Sequence, residues 1–222
     1  TPADFTAHTY DRSDYYNIGE QQVYNKLDVA LGGGIKYLEA KNRPDKEDML
    51  SELKNMGYEI VNTKEQLTST KAQKLYGLFA SDAMAYDLDR AETAPTEPSL
   101  EEMTVKAIET LNKNKNGFFL MVEGSKVDWS NHANDPIATI TDMLAFDKAV
   151  KAALDFAKKD GNTVVVVAAD HGTGGLAMGN KESSSNYDKL TLNQFMDPLK
   201  AAKLTGEGRE KKLDKDKTNI VE

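Results

Sequence analysis

Apolar residues in this 222-residue chain fall into two kinds of run, and the two kinds alternate. Short, nearly continuous apolar stretches predict strands: "DVALGGG" (28–34), "YEIVN" (58–62), "KLYGLFA" (74–80), "GFFLMVE" (117–123) and "TVVVVAAD" (163–170). Between them the apolar positions recur at helical spacing. In "DKEDMLSELKNMG" (45–57), Met49, Leu50, Leu53 and Met56 share one face, and Gly57 stops the helix. "SLEEMTVKAIETLNKNKNG" opens on a capping box, Ser99 with Glu102, and carries a stripe of Leu100, Met103, Ala107, Ile108 and Leu111. A longer helix precedes the last strand. Asp135 caps it, Pro136 fits its first turn and Gly161 ends it, with Met143, Phe146, Val150, Leu154 and Ala157 as the expected buried stripe. Apolar runs without polar alternation are what strands become when helices cover both faces of a parallel sheet. Strands alternating with helices therefore predict a layered α/β fold with a mainly parallel sheet.

After residue 180 the pattern changes. "NKESSSNYDK" is polar and predicts a loop. A short helix follows, with Thr191 and Gln194 as a capping pair and Leu192, Phe195, Met196 and Leu199 inward. "GEGREKKLDKDKTNIVE" predicts a solvated, charged surface or the start of an insertion. Lysines 211, 212, 215 and 217 alternate there with acids, which gives a solvated face rather than a nucleic-acid patch.

The 36 acidic against 28 basic residues leave a net charge of -8. That excludes nonspecific nucleic-acid binding as a leading function, since it depends on a basic surface that displaces counterions. Small anionic substrates stay open, because a bound cation inverts the local field of an acidic protein. With no cysteine, disulfides and thiolate chemistry are excluded, and any metal must take oxygen or nitrogen donors. No stretch approaches the ~20 apolar residues of a membrane helix. The opening "TPADFTAH", without Met, is expected of a mature or cut product.

Candidate chemistry gathers at two strand ends. Glu123 and Asp170 each close a predicted strand, and ligands in an open parallel sheet bind at such ends. His171 follows Asp170 directly, while Asp128 and His132 stand one helical turn apart. Taken singly, a DxxxH pair is common by chance and an Asp-His after a strand often only caps it. Together these five carboxylate and imidazole side chains suit zinc, with oxygen ligands to spare for magnesium. Gly32, Gly33 and Gly34 look like a phosphate loop, but no Gly-Lys-Ser/Thr follows, so a tight turn is the better reading.

"FFLMVEGSKVDWSNHAN", "TVVVVAADHGTGG", "DVALGGGIKY" and the opening "TPADFTAHTYDR" resemble alkaline phosphatase, in the right order from residue 1 to about 180. The resemblance implies a three-layer α/β/α sandwich with a mainly parallel central sheet, present here incompletely. It implies that Asp128 and His132 bind the first of two zinc ions, Asp170 and His171 the second, and that Glu123 and Thr1 bind one magnesium. Arg12 would clamp two phosphate oxygens. Trp129 would line the phosphate pocket through water, with simple packing as the alternative. The implied reaction is hydrolysis of phosphate monoesters by two-zinc phosphoryl transfer. The implied location is extracellular, periplasmic or cell-surface, and a homodimer is compatible with it.

The sequence departs from that family pattern in three places. No serine matches the nucleophile motif; "ASDAM" (80–84) has its letters in the wrong order, and Ser81 reads as loop or cap. An early aspartate bridging zinc and magnesium has no counterpart. Nor has a late histidine at the first zinc, the remaining His8 lying where the family carries a histidine without a direct metal role. Residues 1–180 are therefore expected to be the central part of the catalytic domain, and 181–222 a surface loop, short helix and charged tail that start an insertion. The other readings are a related metallohydrolase (phosphodiesterase, sulfatase or phosphoglycerate-mutase-like) and a non-catalytic metal-binding fragment.

Overall fold

The computed structural model describes residues 2–179 and 181–217. Contacts divide the chain into two compact units: Thr1–Met84, Thr96–Glu123 and Lys148–Val165 form the first, and Ala85–Pro95, Gly124–Asp147 and Val166–Glu222 the second. Thr1, expected as a magnesium ligand, lies outside the described residues.

The first unit opens with a helical turn at Pro2–Phe5 and helix α1 (Tyr15–Tyr24), whose first turn is capped by the Asp14 side chain. Strand β1 (Val29–Gly32), helix α2 (Met49–Asn55), strand β2 (Glu59–Val61), helix α3 (Lys64–Ser69) and strand β3 (Leu75–Leu78) follow. The sheet runs β1-β3-β2 and is parallel throughout, with Val29 opposite Leu75 on one side of β3 and Glu59 opposite Leu75 on the other. Asp48 caps α2 through Leu50 N and Ser51 N, and Met49 and Leu53 are buried as the spacing requires. They pack with Val23, Leu38, Tyr58, Tyr76 and Leu78, while Val61, Leu67, Leu75 and Phe79 form a second apolar cluster. The glycine run after β1 is the tight turn expected. Gly34 has φ +92, and a Cβ at Gly33 would sit 1.9 Å from the Asp82 carbonyl oxygen.

Helix α4 (Asp87–Thr93) belongs to the second unit, and α5 (Leu100–Leu111), with the expected capping box of Ser99 and Glu102, to the first. Helix α6 (Ser125–His132) and the N-terminal part of α7 (Pro136–Asp160) lie in the second unit, where α8 (Lys181–Ser184), α9 (Leu192–Lys200) and α10 (Gly206–Glu210) complete the described elements. None of these helices is long and apolar enough to cross a membrane.

The α/β class and the parallel sheet hold, with three strands among the described residues where five are predicted. Residues 117–123 and 163–170 carry no ladder, and Phe119, Val164, Val166 and Val167 are exposed. A strand needs neighbours to take its N–H and C=O groups. Among the described residues the ladder ends at β1 and β2, so apolar composition alone does not bury these two runs.

Two further expectations are corrected. On α7 the buried positions are Ala138, Thr139, Asp142, Ala145 and Ala149, while Met143 and Leu154 are exposed. The helix packs through its small residues, which allow close approach, rather than through its large ones. In the tail, Leu192 on α9 is exposed, Gly208 is buried inside the stretch expected to be a solvated surface, and Thr205, just before that stretch, is 1% exposed. Its amide and hydroxyl both donate to the buried Asp89 of α4, at 2.8 and 2.5 Å.

Candidate metal centre

Four of the expected zinc ligands lie in the second unit, on one helix and one loop. α6 presents Asp128 in its first turn and His132 as its last residue, so the i, i+4 spacing works as predicted, on a helix rather than on a strand-end loop. Asp128 Oδ2 stands 3.6 Å from His132 Nε2. In the loop after residue 169, Asp170 Oδ2 stands 3.4 Å from His171 Nε2. A tetrahedral zinc with bonds of ~2.0–2.1 Å holds neighbouring donor atoms about 3.3–3.4 Å apart. The Asp170–His171 gap of 3.4 Å has that spacing, and the Asp128–His132 gap of 3.6 Å is slightly wider. Each pair is also only half a site, because no cluster of three or more ligating side chains occurs among the described residues.

Glycines let these segments come close. A Cβ on Gly124, just before α6, would meet Phe146 of α7 at 2.9 Å. A Cβ on Gly174, where φ is +73, would meet the Asn131 carbonyl oxygen of α6 at 2.6 Å. The second contact seats the Asp170–His171 loop against the helix that carries Asp128 and His132.

Thr173 joins the two pairs, and the sequence reading did not single it out. Its hydroxyl donates to Asp128 Oδ1 at 2.8 Å and lies 3.1 Å from His171 Nδ1. A hydroxyl has one proton, and here Asp128 takes it, so Nδ1 of His171 must be the donor in the second contact. The Gly172 carbonyl oxygen, 3.3 Å from the same nitrogen, can only accept and demands the same tautomer. In the neutral imidazole Nε2 then keeps its lone pair, which is the form a metal needs. The one local signal for Thr173 was its place in "ADHGTGG", three residues past the aspartate.

Trp129 is half exposed beside Asp128. The ammonium of Lys126 lies 4.4 Å from its ring centroid and 4.3 Å from that of Tyr86. Burial pushes the Lys126 ammonium below its usual range, while Glu207, with Oε2 at 3.7 Å, pulls the other way. Burial likewise raises the Tyr86 phenol to about 12. Asp142 of α7 accepts weakly from the Asp87 amide at 3.3 Å, and burial, aided by the charge of Asp87, pushes its carboxyl up to about 7.

The remaining expected ligands belong to the first unit. Glu123 is half-buried at the end of an apolar run, and Arg12 is exposed on the turn before α1.

The alkaline phosphatase family profile matches residues 1–218. The chain belongs to the alkaline phosphatase family. Alkaline phosphatase 4 of Bacillus subtilis is 41% identical over 223 residues, which cover 98% of this chain and 45% of that protein. Among solved structures, Thermus thermophilus alkaline phosphatase superposes with a TM-score of 0.83 at 32% identity, over 93% of this chain and 43% of that one. A mutant of TAB5 alkaline phosphatase with Mg bound in the M3 site superposes with a TM-score of 0.70 at 37% identity, over 82% and 51%. The chain thus spans about half or less of the length of these alkaline phosphatases.

Proposed function

We propose that this alkaline phosphatase chain supplies the zinc-bearing part of a phosphomonoesterase. Asp128 and His132 hold one zinc, and Asp170 and His171 hold the other. Glu123, with Thr1, serves a magnesium, and Arg12 offers its planar fork to two phosphate oxygens. The observation that carries this reading is the pair of Asp–His gaps, 3.6 and 3.4 Å, joined through one threonine hydroxyl. When bound, two divalent ions make a hydroxyl nucleophilic at mild pH and offset charge on the leaving oxygen.

The chain's own residues prepare that chemistry. Thr173 holds Asp128 by one oxygen, so the other faces His132, and it fixes the His171 tautomer that exposes Nε2. Trp129 lines the phosphate side of the site. The substrate class is phosphate monoesters, and the site of action is extracellular, periplasmic or at the cell surface. Residues 1–180 are the central part of the catalytic domain and 181–222 begin an insertion; a homodimer is compatible with both.

Zinc titration against a chromophoric chelator tests the reading directly. The chain should bind zinc, and Asp170→Ala should weaken binding by at least about tenfold. Equal affinity in the variant would remove Asp170 from the site. Because no serine matches the family's nucleophile, p-nitrophenyl phosphate at alkaline pH with zinc and magnesium should not turn over. Turnover abolished by Asp170→Ala would mean that another group attacks.

A further inference from the structure

Lys126 is an unusual lysine. Its side chain is 12% exposed, its ammonium lies over two aromatic rings at 4.3 and 4.4 Å, and its carboxylate partner, Glu207, is on another helix. Tyr86 is buried, whereas Trp129 is 48% exposed. A half-exposed indole has little packing to choose its rotamer. A cation over its face, screened from water, is an attraction that does choose one.

Glu207 lies in the first turn of α10, where its Oε1 also accepts from Lys211 at 2.7 Å, and the segment 205–212 is tied at three points. Thr205 is bonded twice to Asp89, the Gly206 amide donates to Asp135 Oδ2 at 2.6 Å, and Lys212 pairs with Glu92 of α4. A Cβ on Gly208 would meet Asp89 Oδ1 at 2.3 Å, so α10 is seated against the buried carboxylate with no slack.

We propose that Lys126 is a positioning residue for Trp129, and that α10 sets it through Glu207. The segment 205–212 then belongs functionally to the phosphate side of the centre, although it is far from it in sequence and carries no ligand. This rests on the proposed role of Trp129 at the phosphate pocket, but the clamp itself can be read without any turnover.

The chain has one tryptophan, so its fluorescence reports Trp129 alone. Lys126→Met keeps the apolar stem and removes the charge. It should raise acrylamide quenching of Trp129 about twofold and shift emission to the red, while Lys126→Arg, still a cation that stacks on rings, should restore the parent values. Glu207→Gln should move quenching in the same direction by less. This variant also decides the matter should Lys126→Met alter the far-ultraviolet circular dichroism. Parent-like quenching in both Lys126→Met and Glu207→Gln overturns the proposal, as does a failure of Lys126→Arg to restore a folded Lys126→Met phenotype. Inorganic phosphate, titrated with zinc and magnesium present, separates the two ideas. If the parent indole does not respond to phosphate, the phosphate-pocket role of Trp129 fails and the quenching series still judges the clamp.

Discussion

Leu75–Leu78 and residues 164–167 are both short, uncharged and apolar, and they end in opposite surroundings. All four residues of β3 are buried, with a parallel partner on each side. Val164 is 85% and Val166 83% exposed. What separates them is not hydrophobicity, since the valine run is if anything the stronger strand former. β3 has β1 and β2 to take its backbone groups, and its side chains reach two apolar clusters. The valines have no such ladder among the described residues. A buried strand is thus a property of neighbours as much as of sequence.

The largest test of that contrast is to truncate one residue from each run. Leu75→Ala removes a fully buried side chain from the cluster with Val61, Leu67 and Phe79, and it should cost about 2–5 kcal/mol. Val166→Ala should stay within about 0.5 kcal/mol, as surface substitutions do. Chemical denaturation of both variants decides it, and equal losses would mean that the valine run is covered in solution.

A smaller effect carries the contrast over to a polar group, because burial acts on a carboxylate by the same route. Asp142 sits on the buried face of α7, and its carboxyl is raised to about 7. The folded chain therefore keeps this proton to about pH 7, while the unfolded chain gives it up near the ordinary carboxylate value. The folded state binds more protons between those limits, so this group's contribution to stability is present in acid and is lost as pH rises through about 7. Asp142→Asn keeps an acceptor for the Asp87 amide and never charges. Above pH 7 it should be more stable than the parent by on the order of 1–3 kcal/mol, with the gap closing toward pH 4. Thermal melts at pH 5 and pH 8 suffice, and a variant less stable at pH 8 would refute the sign.

The smallest effect on stability is expected from Val164→Lys. An exposed, proline-free valine run without a ladder is a template for pairing with another chain. The lysine should leave the unfolding free energy within about 0.5 kcal/mol of the parent and reduce light scattering in concentrated solution. Unchanged scattering would show that the run does not drive association.

These cases show which parts of the molecule can be read from the sequence. Local chemistry can. The Ser99–Glu102 box, the Met49–Leu53 face, the glycine turn and the one-turn spacing of Asp128 and His132 all depend on residues within a few positions of each other. Contacts made across the chain cannot. Nothing near Thr173 says that a carboxylate 45 residues earlier will take its proton. Nothing in "GSKVDW" says that Lys126 will find Tyr86 and Glu207. On α7 the periodicity marks the large residues, but which face is covered depends on what packs there, and the alanine face is chosen. The metal-type residues were legible as candidates because the chain has only three histidines, and two of them, each near an aspartate, come just after a predicted strand. Their tautomers and pairings required the loop to be folded.

The bond between Asp89 and Thr205 has a consequence for how the chain is made. The two residues are separated by 116 positions, and both are 1% exposed once joined. At a translation rate of about 5–20 residues per second, Asp89 leaves the ribosome roughly 6 to 23 s before its partner exists. Throughout that interval the Asp89 carboxylate lacks the amide and hydroxyl of Thr205 that it accepts from in the folded chain. The last helix described in this chain thus completes the surroundings of a residue made long before it.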